Sequence, residues 1–454
     1  MIEFLSFSEK LISGSLPFAA LMLCGIYITV TGNFFQFTRF LKSVKLVIKA
    51  FRTKRDPDAG LSSIGAACTA LSATVGIGNI AGVAGAISLG GAGAVFWMWI
   101  SALLGMAIKY AEITLAVKFR EKKGNEFIGG PMYYIKNGLS RNLNFIAVMF
   151  AVACIPAVFT TGNITQINAA VLSVGSSIPT RLISGISFTV IVFAVIKGGA
   201  KRIGAVTEKA VPLMSVLYFL LSLGVIIVNR ELLPNAFKMI FEGALKPKAV
   251  TGGAVMSVIT AISVGASRGI FSNEAGLGTS AMAHSAAYDA DAKTQGLYGI
   301  FEVFTDTILI CTLTALTILC SSVKIDYGTI ASSELVASAL SVCYGKAASP
   351  LLAVMTCFFA LSSVLGWALY GDICISFLFG ERGRGLFLRI YPLGCIIGAF
   401  LNAAAVWRLA AIANGIMLCI NLPVMLTLWD KSYIKRDGKN VFKKNSKPAK
   451  FSDR

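Results

Sequence analysis

Long apolar segments separated by short polar ones make up most of this 454-residue chain. Each apolar segment is close to the roughly 20 residues that an α-helix needs to cross the hydrocarbon core of a bilayer. The segments are continuous rather than alternating, which excludes a membrane β-barrel. The pattern predicts an all-α polytopic membrane protein with eleven transmembrane helices, at 14–34, 62–89, 93–118, 144–172, 180–197, 207–228, 252–284, 296–320, 348–378, 385–404 and 407–429.

Two of the predicted spans contain residues that interrupt a helix. The stretch Ala73-Thr-Val-Gly-Ile-Gly-Asn-Ile-Ala-Gly-Val83 is rich in glycine, which costs about 1 kcal/mol per site in a helix relative to alanine. A second such stretch, Gly269–Gly278, shares with it the pattern N-x-A-G, at Asn79 and Asn273. Irregular backbone at membrane depth survives only where it is buried in protein or lines a polar cavity. Paired interruptions in the two halves of a chain therefore point to the substrate site of a secondary transporter.

Composition and charge agree with a membrane protein. The chain is 56% hydrophobic and only 14% charged, which excludes an ordinary soluble domain. The net charge of +19 would suit a nucleic-acid partner, but its distribution argues against one. Thirty lysines and arginines fall on one side of an eleven-helix topology and nine on the other. This bias predicts an external N-terminus and an internal tail from Lys431.

The cysteines, the histidine and the first fifteen residues mainly exclude certain kinds of site or segment. The ten cysteines are scattered without a C-x-x-C pair and are expected to be small core residues. The single histidine, His284, excludes a histidine-rich metal site. No cleavable signal is expected, because residues 1–15 are acidic and lack a basic n-region.

The positions of the two interrupted spans predict an inverted repeat. When the first helix is set aside, they are the first and sixth of ten, and each half has five helices. An odd number gives the halves opposite topology. The expected organisation is an extra helix and basic linker at 1–61, repeats at 62–229 and 252–430, an external loop at 230–251 and a basic tail at 431–454.

Several motifs resemble the alanine/glycine:cation symporter family, the sodium–alanine symporters. They are Val75–Gly82, Phe96-Trp-Met-Trp99, Gly129-Gly-Pro-Met-Tyr-Tyr134, Ser267–Ser280 and Leu365-Gly-Trp367. The resemblance implies a LeuT-type five-plus-five inverted-repeat fold with one extra helix. It also implies Na+-coupled import of a small neutral amino acid across a prokaryotic cytoplasmic membrane. The chain departs from the family pattern at Ile77, usually threonine, at Gly90-Gly-Ala-Gly93 and at Gly366-Trp-Ala-Leu-Tyr-Gly-Asp372.

A zwitterionic substrate needs partners for both of its charges. Free N–H groups at a helix N-terminus attract a carboxylate, and glycine lets the backbone approach closely. Gly76, Gly78 and Asn79 are therefore the carboxylate candidates, and a valine at Gly78 is expected to strain a positive φ and block the site. The ammonium candidates are Ile270, Phe271 and Ser272, with Asn273 of the second N-x-A-G beside them.

The resemblance also implies a sodium site. Its ligands would be the carbonyls of Val75 and Gly78, a carbonyl near Phe359, and the hydroxyls of Ser362 and Ser363. The alternative is that both serines bond carbonyls of their own helix. One turn further along, Trp367 would wall the substrate pocket and limit side-chain size, or would serve in packing alone.

Polar residues in other spans leave further alternatives open. Asn163 and Gln166 lie at i and i+3 in the fourth span, where they would contact substrate or join helices. Glu302 and Asp306 lie at i and i+4 in the eighth span and would pair with Arg268 or Lys109, or carry protons. A structural or gating network that includes Glu274 is favoured for them.

The sequence thus predicts an importer of alanine or glycine, with Na+ as the coupling ion and no organic cofactor. The bilayer is its expected environment, and no nucleic acid or obligatory protein partner is expected. Proton coupling and transport of another small amino acid remain alternatives. An intramembrane enzyme is remote, because no catalytic spacing of histidine, serine or lysine falls within a span. An ion channel is remote as well, because channels rarely need two breaks in an inverted repeat.

Overall fold

The computed structural model describes residues 15–53, 60–124, 126–246, 257–329, 333–432, 435–436 and 439–440. The predictions that concern the signal region before Ser15, the end of the external loop and most of the basic tail lie outside these residues. Across the described part, helices account for nearly all regular structure, in agreement with the sequence.

The first half of the chain forms eleven described α-helices and one hairpin. The helices are α1 Ser15–Thr31, α2 Phe35–Thr38, α3 Phe40–Arg52, α4 Ser63–Thr74, α5 Ala81–Gly90, α6 Gly93–Lys118, α7 Pro131–Gly138, α8 Asn144–Phe159, α9 Thr165–Val174, α10 Ile178–Ile196 and α11 Gly199–Val228. A short antiparallel hairpin, β1 Glu121–Lys123 and β2 Glu126–Ile128, follows α6.

The second half begins with α12 Leu233–Leu245, which is followed by the second interrupted span. The next described helices are α13 Val258–Asn273, α14 Thr279–Ser285, α15 Ala292–Val303, α16 Thr312–Leu319, α17 Ser333–Tyr344, α18 Ala348–Ile390, α19 Gly394–Phe400 and α20 Ala403–Ser432. A small strand pair, β3 Lys435–Arg436 and β4 Lys439–Asn440, ends the described chain. Short 3-10 turns lie at Ile77–Asn79, Arg141–Leu143, Arg230–Leu232, Gly345–Ala347 and Tyr391–Leu393, and π-helical segments at Thr160–Ile164 and Phe304–Cys311.

The helices coincide with the predicted spans. By length and composition, seven helical stretches among the described residues are suited to cross a membrane, and the bent pair around Val75 makes an eighth. One of the seven stretches, Ser333–Phe400, holds two predicted spans, because α18 bends at Gly380 with φ of +65°. The other two predicted spans correspond to α1 and to the α13–α14 pair. The fold class is confirmed, and the count of eleven is consistent with these elements.

The interrupted helices lie at the centre of the bundle. α4, α5 and α14 are buried along almost their whole length. α6, which contacts both α13 and α15, has 83% of its most apolar window buried, whereas α10 has only 17%. α10 therefore faces lipid, and the breaks are enclosed by protein as backbone without regular hydrogen bonds requires.

Connections on one side of the bundle come together around a large cavity of about 730 Å³. It is lined by residues from four of them, including Gly60, Lys123, Ala200 and Ala286. We call this side the basic face, because the charge bias predicts that the lysine-rich segments 39–53, 118–124, 126–141 and 197–209 lie on it.

Candidate substrate and cation site

The first break separates α4 from α5 at Val75–Ile80, with a bend of 54°. Its backbone donors are satisfied by side chains. The Gly76 N–H donates to Asn79 Oδ1 at 2.9 Å, and the Ile77 N–H donates to Gln166 Oε1 at 3.1 Å. The expectation that the Gly76 N–H is free for a substrate carboxylate is therefore wrong for this conformation. The Asn79 N–H donates to the Gly76 carbonyl at 3.2 Å. Gly78 is therefore the carboxylate candidate whose N–H has no hydrogen-bond acceptor among the described residues.

The tight position in this break is Gly76 rather than Gly78. A Cβ at Gly76 would lie 2.5 Å from Ser363 Oγ and 2.7 Å from Gln166 Oε1. A Cβ at Gly78 would meet Phe271 Cδ1 at an ordinary 3.5 Å, and Gly78 is not among the residues with positive φ. The predicted strain of a valine at Gly78 is thus not supported. The space beside Gly78, facing Phe271, is open enough for a small group.

The side chain of Asn79 joins the first break to two other helices. Its amide nitrogen lies 2.7 Å from Asp306 Oδ1 and 3.1 Å from Ser272 Oγ. Ser272 also donates to Asp306 Oδ2 at 2.7 Å. Asn79, Ser272 and Asp306 are at most 1% exposed, so the carboxylate of Asp306 is held by buried donors from both interrupted spans.

The second break begins later than the sequence suggested. α13 remains helical through Ile270, Phe271 and Ser272, and the Ile270 carbonyl accepts a bond from the Glu274 N–H at 2.8 Å. The irregular backbone is Glu274–Gly278. The ammonium candidates therefore lie in the last turn of a helix, where the carbonyls of Phe271 and Ser272 carry the negative end of the helix dipole.

Asn273 differs from Asn79 in its contacts. Its Oδ1 accepts from the Ala275 N–H at 3.0 Å, and its amide donates to Thr307 Oγ1 at 3.2 Å. Thr307 in turn donates to Asp306 Oδ2 at 2.7 Å. The two motif asparagines thus meet at consecutive residues of the π-helical segment in the eighth span.

The polar pair of the fourth span divides between two roles. Gln166 reaches the first break, as the bond from the Ile77 N–H shows. Asn163 instead donates to the Tyr391 carbonyl at 2.8 Å and joins its helix to the 3-10 turn between α18 and α19. Asn163 belongs to the π-helical segment Thr160–Ile164, and Gln166 to the α-helix that follows it.

The predicted sodium ligands meet where α18 crosses the first break. Ser363 Oγ lies 3.4 Å from the Val75 carbonyl oxygen. Ser362 Oγ donates to the Phe359 carbonyl of its own helix at 2.9 Å, as the alternative reading proposed. Phe359, Ser362 and Ser363 are all buried. The structure therefore brings Val75 and Ser363 together across two helices, while Ser362 bonds within one.

Trp367 is completely buried and is held on three sides. Its indole N–H donates to Glu274 Oε1 at 2.9 Å, and its ring meets Tyr370 edge-on with centroids 5.5 Å apart. It also lies flush against Gly162, where an added Cβ would be 2.3 Å from the tryptophan Cγ. Glu274 Oε2 accepts from Thr279 Oγ1 at 2.6 Å. No local sequence pattern indicates the Glu274–Trp367 link, because the two residues are 93 positions apart.

A second buried network surrounds Glu302. Lys109 Nζ lies 3.3 Å from Glu302 Oε1, which also accepts from Ser280 Oγ, and His284 Nε2 lies 3.2 Å from Oε2. The expected pairing of Glu302 with Lys109 is present. Arg268 instead lies over the ring of Trp407, with its Cζ 5.4 Å from the ring centroid.

The cavity on the basic face is lined in part by α18, the helix that contains Trp367. Leu369 and Ile373 form part of its lining, and Leu369 lies two residues from Trp367. Ion pairs cross its mouth: Lys123–Glu381 at 2.8 Å and Arg384–Asp372 at 2.9 Å. The cavity therefore adjoins the part of α18 that follows Trp367.

Comparison with known families agrees with this architecture. Residues 1–451 match the model of the sodium:alanine symporter family. An uncharacterized transporter of Haemophilus influenzae is 38% identical, covering 92% of this chain and 91% of that protein. The sodium/alanine symporter AgcS of Methanococcus maripaludis is 36% identical over 94% of this chain and 95% of its own length. The probable sodium/glutamine symporter GlnT of Bacillus subtilis is 35% identical, with 93% and 87% covered.

Solved structures share the fold at low sequence identity. The crystal structure of MhsT in complex with L-phenylalanine superimposes with a TM-score of 0.58 at 14% identity, covering 80% of this chain and 87% of that one. A manganese transporter of Eremococcus coleocola gives a TM-score of 0.52 at 16% identity, covering 81% and 78%. Both have the LeuT fold, which confirms the predicted fold class.

Proposed function

The chain belongs to the sodium:alanine symporter family, and from this membership we propose that it imports alanine or glycine together with Na+ by alternating access. It is a multi-pass membrane transporter and not an enzyme. The observation that carries the proposal is that both interrupted spans converge on one buried cluster, Asn79, Ser272 and Asp306.

The substrate would lie between the first break and the last turn of α13. Its carboxylate would face the backbone at Gly78 and Asn79, and its ammonium the carbonyls at Phe271 and Ser272. Phe271 and Gly78 are near contacts, so the gap between them suits a methyl or hydrogen rather than a long side chain. Trp367 would close the pocket on the side of the basic face.

The Na+ ion would lie between Val75 and Ser363. Hard oxygen ligands bind a cation of this size at about 2.4 Å, as they do Ca2+. Two oxygens 3.4 Å apart are close enough to bind one such ion together. Ser362 and the Phe359 carbonyl would join them after a rotation of the serine hydroxyl, and the Gly78 carbonyl would come from the break itself. This site adjoins Gly76, so ion binding would fix the backbone that receives the substrate.

Transport into proteoliposomes tests the proposal. Purified protein is reconstituted, and uptake of labelled alanine is measured under an inward Na+ gradient, an inward H+ gradient, and neither. We expect concentrative uptake with the Na+ gradient alone. Uptake driven only by the H+ gradient would show that protons, rather than Na+, are the coupling ion. The absence of alanine uptake under every gradient would contradict the proposal that alanine is the substrate.

A second substrate is worth including in the same assay. One relative carries the name of a glutamine symporter, and this chain has Ile77 where threonine is usual in the resembled family. Competition by glycine, alanine, serine and glutamine at equal concentration would rank them. We expect glycine and alanine to compete best, because the Gly78–Phe271 gap is narrow.

A further inference from the structure

An apolar groove opens on the outer surface of the bundle, between α3, α4, α11 and α15. It encloses about 190 Å³. Val216, midway along the membrane-spanning helix α11, is 55% exposed in this groove and therefore faces lipid. Most of its lining is apolar, including Val47, Phe51, Cys68, Pro212, Val216 and Phe301.

The helix α3 forms the wall of the groove at the basic face. The surface of α3 has three sides, which differ in the residues they carry. Ser43 and Val47 are buried, and Ser43 Oγ donates to the Leu297 carbonyl, which fixes α3 on α15. A second side carries exposed apolar residues, Leu41, Ile48 and Phe51. The third side carries four exposed basic residues, Lys42, Lys45, Lys49 and Arg52.

This division is typical of a helix that lies in the membrane interface. Such helices place apolar side chains at the boundary of the acyl chains and lysines among the headgroups. Clusters of lysine and arginine beside a membrane attract anionic lipids, by about 1 kcal/mol per residue. Within the described residues, none of the four basic side chains of α3 forms an ion pair with an acid. Their charge is thus available to a phosphate.

We propose that the groove binds one anionic diacyl phospholipid. Its headgroup phosphate lies against Lys45, Lys49 and Arg52, and one acyl chain passes beneath α3, along Ile48 and Phe51, into the groove. The charge of α3 selects the headgroup, and the apolar lining holds the chain.

The position of the groove gives the lipid access to the transport machinery. Its floor includes Ile64, Cys68 and Leu71 of α4, the helix that leads into the first break, and Glu302 lies at its inner end. A bound acyl chain would fill the space beside α4 and stabilise the folded bundle by mass action.

Lipid binding to the purified full-length protein tests the proposal. Native mass spectrometry and thermal unfolding are recorded during titration with dioleoylphosphatidylglycerol or dioleoylphosphatidylcholine. We expect preferential retention of the anionic lipid and a rise in unfolding temperature. The double variant Lys45→Gln/Lys49→Gln should bind phosphatidylglycerol about 30-fold more weakly. The control Lys122→Gln/Arg141→Gln removes two exposed basic charges away from the groove and should bind as the parent protein does.

A second pair of variants tests the acyl chain. Val216→Trp fills the groove from an exposed position and should abolish the retained lipid, whereas Val190→Trp, at a 61% exposed site on α10, should not. Equal losses in the two charge variants would mean general surface attraction and overturn the site. Retention of lipid by Val216→Trp, or equal retention of the two lipids by the parent protein, would overturn it as well.

Discussion

The two breaks differ in what holds their shape. The first is held by side chains from other helices: Gln166 accepts a hydrogen bond from the Ile77 N–H, and Ser363 lies against Gly76. The second contains three residues at positive φ, Glu274, Gly276 and Gly278. It is tied within its own segment through Asn273 and Thr279, and to other helices through the Trp367 indole and Thr307. The first break should therefore respond to whatever moves its neighbours, such as a bound ion, whereas the second is shaped in addition by the positive-φ residues of its own sequence.

The strongest test of this contrast is at the two glycines of the first break. Gly76→Ala should abolish alanine uptake, because its Cβ would overlap Ser363 and Gln166, and such overpacking typically costs about 1–3 kcal/mol. Gly78→Ala should fold as the parent does, since its Cβ has ordinary contact distances, and should retain part of the uptake although its methyl narrows the proposed substrate gap. Uptake by equal amounts of reconstituted protein is the measurement. If both variants transport equally, the crowding at Gly76 does not define the site.

The proposed sodium site gives the next largest effect. Ser363→Ala should raise the Na+ concentration for half-maximal uptake by about tenfold or more, because even indirect partners of a metal typically contribute that much. Ser362→Ala should have a smaller effect, since that hydroxyl bonds its own helix. Both changes barely alter volume. Unchanged Na+ dependence in Ser363→Ala would remove it from the ligand set.

The Glu274–Trp367 bond links the second break to the wall of the proposed pocket. Trp367→Ala should admit larger neutral amino acids, improving competition by valine or leucine about tenfold, since pockets discriminate by about 1–3 kcal/mol per methylene. Glu274→Gln retains an acceptor for the indole and should keep the size limit, whereas Glu274→Ala should relax it partly. The measurement is the inhibition of labelled alanine uptake by unlabelled valine or leucine in each variant. A size limit that survives Trp367→Ala would place the pocket elsewhere.

The orientation of the chain in the membrane decides which half of each broken helix faces the cytoplasm. The cysteine variant that tests this orientation should transport alanine as the parent does. A cysteine at Lys439, in a variant lacking the exposed Cys419, should resist a membrane-impermeant thiol reagent applied to intact cells. It should react once the membrane is permeabilised. Labelling from outside would invert the predicted topology, and with it the side on which the 730 Å³ cavity opens.

Much of this architecture follows from local sequence patterns. Spans are set by apolar length, and both breaks lie where glycine and asparagine interrupt those spans. The sequence motifs also indicated the family. The pairing of Glu302 with Lys109 was one of two expected, because an intramembrane carboxylate needs a buried cation.

What only the tertiary structure decided concerns residues far apart in the chain. No local pattern shows that Asn79 and Asn273 both lead to Asp306, or that Glu274 holds Trp367. Composition does not distinguish Gly76 from Gly78 either, because the importance of a glycine depends on what lies where its Cβ would be. At Gly76 these neighbours are the side chains of Gln166 and Ser363, 90 and 287 residues further along the chain. The sequence by itself determined the helices and where they break, because both depend on neighbouring residues. The contacts across the breaks were decided by helix packing.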